Sequence, residues 1–312
     1  MQDLIGIRAT VDFVFKVLFG DRKNADLLID LLNAVLQPKD RIVEAVILNP
    51  FNLKKFARGK VSVVDVKASD DNGKWYIIEV QTTLPVGLRN RQVYYLSSLY
   101  QSQLLESDGY DELRPAIGIC FLTEALFAKE TPGHTRFELH DPQHKLSLGD
   151  QLSLHFVELS KYNFEVESLH NAGRFEQWVF FLNRAHQHSE SQLRKLLPDP
   201  IFQKAIGVLT MISRKPAMRM QYDDRAKEEL DRRCAIADTR KAIADARQEG
   251  LTAGEAIGEA SGEARGKAIG MIVTLEQVLG LPASDSRQLS EMDLSDLEKL
   301  AAKLQRRLAK RS

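Results

Sequence analysis

Apolar side chains recur at helical spacing between residues 10 and 36, at Phe13, Val17, Leu18, Leu28, Leu31, Leu32 and Leu36. That period predicts an amphipathic helix closed by Pro38, with Gly20 as the point where it would divide into two. The pattern then turns β-like. Residues 42–48 are β-rich, and 61–68 (VSVVDVKA) and 74–81 (KWYIIEVQ) read as two further strands. Ser69-Asp70-Asp71-Asn72-Gly73 between them is turn chemistry, so these two strands are expected to pair as a hairpin. Helical spacing returns over 88–105, and 116–122 and 152–159 read as short strands, the first of them buried. The order α-β-β-β-α-β predicts an α/β fold, a mixed sheet with flanking helices.

From about residue 173 onward the pattern is almost entirely helical: 173–197, 200–213, then a charged helix over 217–248. Next, Gly250, Gly254, Gly258, Gly262, Gly266 and Gly270 stand four apart, mostly with Ala and Glu between them. A leucine-spaced helix over 293–309 ends basic, in KLQRRLAKRS. The expected division is therefore an α/β core at 1–165, a helical region at 166–248, and the glycine repeat with its terminal helix at 249–312. The repeat has two readings. A helix with a small-residue stripe would let a second chain approach closely and make a homodimer. A low-complexity linker would avoid the helix cost of glycine, about 1 kcal/mol each.

Composition narrows the function less than the pattern does. The 312 residues carry 43 basic and 43 acidic side chains, so any nucleic-acid contact must come from local patches. Cys120 lies in the apolar run AIGICFL and is expected as a buried free thiol. No run of about 18 apolar residues predicts a membrane span. The N-terminus lacks the basic and apolar regions of a signal peptide, which favours the cytoplasm. The spacing of His134, His140 and His144 matches no zinc motif. P-loop and nucleophile-elbow motifs are lacking as well.

The hairpin carries the chemistry. On the strand 74–81, Glu79 and Gln81 project to one face and Ile78 and Val80 to the other. An odd-numbered loop would set Asp65 directly across from Glu79, on a face shared with Lys67. Opposed carboxylates repel, so that face is either wet or neutralised by a cation. Magnesium suits the second case, because it needs only one or two carboxylates and completes its shell with water and phosphate oxygens. Asp12 and Lys16 stand four apart on the first helix, as a surface ion pair or as part of the same site. Arg89, Arg91, Tyr94 and Tyr95 open the helix after the hairpin, either as phosphate contacts or as an ordinary helix start with buried tyrosines.

The order Asp12-x-x-Phe15-Lys16, Val64-Asp65-Val66, Ile78-Glu79-Val80-Gln81 and Arg91-x-x-x-Tyr95 resembles the Rpn family of recombination-promoting nucleases and transposase-like proteins, within the PD-(D/E)XK superfamily. The resemblance spans roughly residues 10–125, and the glycine-repeat tail is also similar to tails of that family. It implies a restriction-endonuclease-like core that cuts DNA with Mg²⁺ or Mn²⁺, Asp65 and Glu79 being the metal-binding carboxylates. Gln81 stands where the superfamily has its lysine, and Asp12 and Lys16 match the family's polar pair on the first helix. Arg89, Arg91, Tyr95 and Lys67 are expected at the substrate, with Lys54, Lys55, Arg58 and Lys60 as further cations nearby. A neutral amide at position 81 leaves a second reading open: a degenerate nuclease fold that binds DNA or protein without cleavage.

Overall fold

The computed structural model describes residues 4–49, 65–163 and 166–310. Positions 61–64 of the expected strand, and Lys54, Lys55, Arg58 and Lys60, lie outside the described residues.

The first helical stretch does divide at Gly20. Helix α1 (Asp12–Phe19) ends where the Gly20 N–H donates to the Lys16 carbonyl at 2.8 Å. A Cβ at residue 20 would sit 2.8 Å from that same oxygen, so only glycine lets the chain turn this tightly there. Asp21 accepts from the Lys23 N–H and starts a short 3₁₀ turn, after which α2 runs Ala25–Leu36. Phe13, Phe15 and Phe19 of α1 are fully buried. Each contributes about 1.5–3 kcal/mol by leaving water. These anchors fix α1 against the sheet, and with it Lys16.

The strands are β1 (Ala45–Ile47), β2 (Val66–Asp70), β3 (Trp75–Gln81), β4 (Ala116–Leu122), β5 (His134–Glu138) and β8 (Leu152–Glu158), in the order β1-β2-β3-β4-β8-β5. Two-residue strands β6 (His140–Asp141) and β7 (Leu146–Ser147) form a separate ribbon. β3, β4 and β8 are parallel neighbours, and β1, β2 and β5 run antiparallel to theirs. The hairpin forms, with Val66 opposite Ile78, but Ser69 and Asp70, expected in the turn, continue β2, Ser69 pairing with Trp75. Asp70 ends β2, and its carboxylate accepts from the Asn72 and Lys74 N–H groups and from the Tyr76 hydroxyl at 2.6 Å. Gly73 follows at φ +77°, a conformation glycine adopts without strain.

The central strands are covered on both faces, so β3 is buried from Tyr76 to Val80, Glu79 included, rather than half-wet. Tyr76, Ile78 and Val80 join the larger core with α1, α2 and the helices α4 (Arg174–Arg184) and α6 (Pro200–Arg214). Ile77 faces the other way, with Leu88, Leu96 and Leu99 of α3 (Leu88–Gln101). α5 (Glu190–Leu196) starts on a capping box, Ser189 and Gln192 satisfying each other's backbone N–H groups. Trp178 of α4 donates to Asp30 of α2 at 2.7 Å in the interior.

Helix α7 runs Pro216–Leu279. The chain divides into two compact units, 1–233 and 234–312. In the second, Ala268, Ile272, Leu275 and Leu279 of α7 pack with Leu289 of α8 (Ser286–Glu291) and with Leu297, Ala301 and Leu304 of α9 (Leu294–Ala309). The glycine repeat is helical throughout, despite the helix cost of its glycines. The reason is that the repeat is continuous with a packed segment, where Ile272 is fully buried, and need not nucleate by itself. No helix among the described residues is long and apolar enough to cross a membrane.

Candidate active site

The β2–β3 register, extended one residue past Val66 and Ile78, sets Asp65 opposite Glu79. Asp65 lies just outside β2 and is held by two contacts. Its Oδ2 accepts the Val80 N–H at 3.0 Å, and its Oδ1 lies 3.2 Å from the Lys16 Nζ. Lys16 is 4% exposed, so it is no surface partner of Asp12; it turns inward to the sheet. Asp12 instead accepts from the Phe13 N–H at 2.7 Å. Glu79 is 2% exposed, which overturns the wet acidic face: α3 covers it. The Gln92 amide donates to Glu79 Oε2 at 2.6 Å, and the Gln81 amide approaches the same oxygen at 3.5 Å.

Burial pushes the Asp65 carboxyl above its usual range, against the pull of Lys16 and the Val80 N–H. Burial likewise lifts Glu79 to about 7, and the charge of Asp65 adds to the lift, while the Gln92 hydrogen bond, Arg91 and Lys16 oppose it. Two neighbouring carboxyls whose burial outweighs the pull of the cations around them form a site that a bound cation would stabilise.

Around this pair lies a cleft of about 230 Å³, lined also by Thr10, Asp12, Gln81, Thr82, Thr83, Arg91 and Tyr95. Arg91 sits over the Tyr95 ring at 5.9 Å, and its buried Nε has no hydrogen-bond partner among the described residues. Tyr94 is exposed rather than buried. Two expected substrate residues turn away. Lys67 reaches Ser102 at 3.4 Å and stacks over Trp75, and Arg89 donates to the Leu126 carbonyl and stacks over Phe127. Both start beside the site in sequence, but their long side chains follow α3 and the loop after β4.

The remaining lining comes from the charged helix expected over 217–248, which no motif tied to the hairpin. Arg225, Glu228, Glu229 and Arg232 of α7 close one side of the cleft. Tyr222 fixes this segment by donating to the Gly6 carbonyl at 3.1 Å and accepting the Arg8 N–H at 3.2 Å. Glu229 lies between Arg8 and Arg233, at 3.4 and 3.2 Å, and burial still raises its pKa. No sequence signal marks these residues, because their contact with the hairpin is set by the path of the chain. Gln92 had a signal. It occupies a buried position among Leu88, Leu96 and Leu99, a polar residue within an apolar helix stripe.

Among the described residues no group of three or more His, Cys, Asp or Glu is arranged to hold a metal ion. The donor set is two hard carboxylates with raised pKa values. That fits magnesium or manganese, which take few protein ligands, rather than zinc or calcium.

The profile of the PD-(D/E)XK nuclease family transposases matches residues 9–239, about three-quarters of the chain. The chain belongs to this PD-(D/E)XK family. Searches of characterised proteins and of solved structures return no match. The mixed six-stranded sheet with flanking helices is a PD-(D/E)XK α/β core, and the family implies nuclease or transposase-like chemistry. The matched span reaches past the sheet to residue 239 and so includes the α7 residues that line the cleft.

Proposed function

We propose that this PD-(D/E)XK protein is a divalent-metal-dependent DNA endonuclease that hydrolyses phosphodiester bonds at the cleft between Asp65, Glu79 and α7. The observation that carries the reading is the pairing of half-buried Asp65 with buried Glu79 across the hairpin end, with buried Lys16 against Asp65. Asp65 and Glu79 would hold one Mg²⁺ or Mn²⁺, which when bound supplies Lewis-acid stabilisation of charge on the phosphate. Gln92 and Gln81 fix the Glu79 carboxylate, and the Val80 N–H and Lys16 fix that of Asp65. Lys16 brings the positive charge that Gln81 lacks. Arg91, whose Nε has no partner among the described residues, and Arg225 and Arg232 would bind phosphate oxygens, while Tyr95 stacks on Arg91. Asp12, beside Asp65 on the cleft wall, adds to the negative field that draws the cation.

The test is plasmid nicking with Mg²⁺ or Mn²⁺, beside Asp65→Ala and a chelator control. Nicked and linear products from the wild type alone are expected. Intact plasmid with either metal rejects the endonuclease reading. Gln81 favours a second reading, DNA or protein binding without cleavage, since a neutral amide stabilises developing charge less than an ammonium. Retarded but uncut DNA would select it.

In the cell the activity would serve recombination or mobile-element movement in the cytoplasm. A homodimer through the glycine stripe would present two sites to the two strands. Its support is that a Cβ at each of the six repeat glycines would meet nothing within 4 Å among the described residues, which leaves the stripe open to a partner.

A further inference from the structure

The second unit carries a charge pattern that the cleft does not use. Helix α9 is two-sided. Leu297, Ala301 and Leu304 are buried against Ile272, Leu275 and Leu279 of α7. The opposite side presents Lys299, Lys303, Arg306, Arg307 and Lys310, all exposed, around a shallow groove of about 530 Å³. The steps of four, three and four from Lys299 through Lys303 and Arg306 to Lys310 keep these side chains in one line. At about 1.5 Å per residue the line is about 16 Å long. Residues 299–310 contain no acidic side chain. Lys299 pairs with Asp296 at 2.9 Å, while no ion pair is recorded among the described residues for Lys303, Arg306, Arg307 or Lys310. A neutral chain has thus concentrated unpaired positive charge on one ridge, against its own electrostatic self-repulsion.

We infer that this ridge of α9 is a second DNA-binding surface, one that grips the phosphate backbone of duplex DNA without reading its sequence. Spaced guanidinium and ammonium groups along a straight helix match a regular row of phosphates. A membrane surface fits less well. A helix that lies in a bilayer interface inserts its apolar side, and here that side is already buried against α7. The ridge shares no residue with the cleft. Its role would be to hold the chain on DNA before and between events at the cleft, and it rests on the proposed function only in taking DNA as the substrate.

The test uses the full chain in chelator, so that no strand is cut, with a labelled duplex followed by fluorescence anisotropy across a salt series. The variants are Lys303→Gln/Arg306→Gln/Arg307→Gln and the matching triple change to Glu, each checked for helix content by circular dichroism. Every lost phosphate contact should lower the slope of log affinity on log salt by about 0.9. The triple Gln variant should therefore lose roughly two to three units of slope and at least about tenfold in affinity at low salt, and the Glu variant more. An Arg91→Gln control, in the cleft, would weaken binding while keeping the ridge's share of the slope. Wild-type affinity and slope in both folded triple variants would overturn the ridge and leave DNA binding to the cleft. No binding by the wild type would overturn both this inference and the DNA reading of the cleft. Loss of binding to phosphatidylserine vesicles, with DNA affinity intact, would reassign the ridge to membrane surfaces and overturn it as well.

Discussion

Replacing Lys16 by Met tests the electrostatic reasoning most directly, because it removes a buried cation while nearly keeping side-chain length. The Lys16–Asp65 pair is 3.2 Å apart, and its side chains are only 5% and 12% exposed. Solvent screens such a pair weakly, and deleting one member of a buried pair costs about 3–5 kcal/mol. The lower figure, about 3 kcal/mol, is expected here, because Asp65 keeps its Val80 hydrogen bond and can escape by taking up a proton. That escape sets the sign of the pH dependence. Asp65 has a folded pKa above its ordinary 3.8, and without Lys16 it rises further. A raised folded pKa gives stability that is complete below 3.8 and lost as pH rises through the folded value. The Lys16→Met defect should thus be largest above neutrality and shrink towards about pH 4. The assay is urea unfolding of both proteins across that range, with and without Mn²⁺, which should restore part of the loss by binding the folded state alone. In the plasmid assay Lys16→Met should be impaired, and Gln81→Lys, which returns an ammonium to the same cleft, should partly rescue it. An unfolding free energy within about 0.5 kcal/mol of wild type above neutrality, with no pH trend and full cleavage, would refute the argument.

Three further outcomes are expected. In metal-free protein, Glu79 at about 7 against an ordinary 4.5 makes stability fall by about 3 kcal/mol as pH rises from about 4.5 through about 7; Glu79→Gln should flatten that profile in thermal melts, and Mn²⁺ calorimetry on Glu79→Ala should show no binding heat. Gln92→Leu removes the 2.6 Å bond that orients Glu79; kcat should drop about tenfold or more with KM little changed, whereas a loss confined to KM would place Gln92 in substrate binding. Light scattering should show a dimer for the full chain and a monomer for a chain ending at Gln248; two monomers at micromolar concentration would remove the glycine stripe as an interface.

What the sequence determined by itself is local and periodic. Alternation along 74–81 separates Glu79 and Gln81 from Ile78 and Val80, and the turn chemistry around Gly73 brings two strands together; that Asp65 opposes Glu79 depended on the parity of the loop, which the structure decided. Gly20 dividing the first helical stretch, and the α-β-β-β-α-β order, rest on the same short-range rules. The tertiary structure decided everything that depends on what covers a face. Periodicity separates two faces of β3 without saying that α3 would bury Glu79 to 2% and supply Gln92, or that Lys16 would reach Asp65 rather than solvent. Lys67 and Arg89 sit beside the site in sequence and leave it in space, since a long side chain follows whichever aromatic ring or carbonyl lies within its reach. Arg225, Glu229 and Arg232 arrive from about 150 residues downstream, at positions set by where Tyr222 docks on Gly6 and Arg8, and no local rule encodes such a contact. The glycine repeat shows the same limit from the other side: its propensity argues against a helix, and continuity with the packed residues Ile272 and Leu275 makes it one.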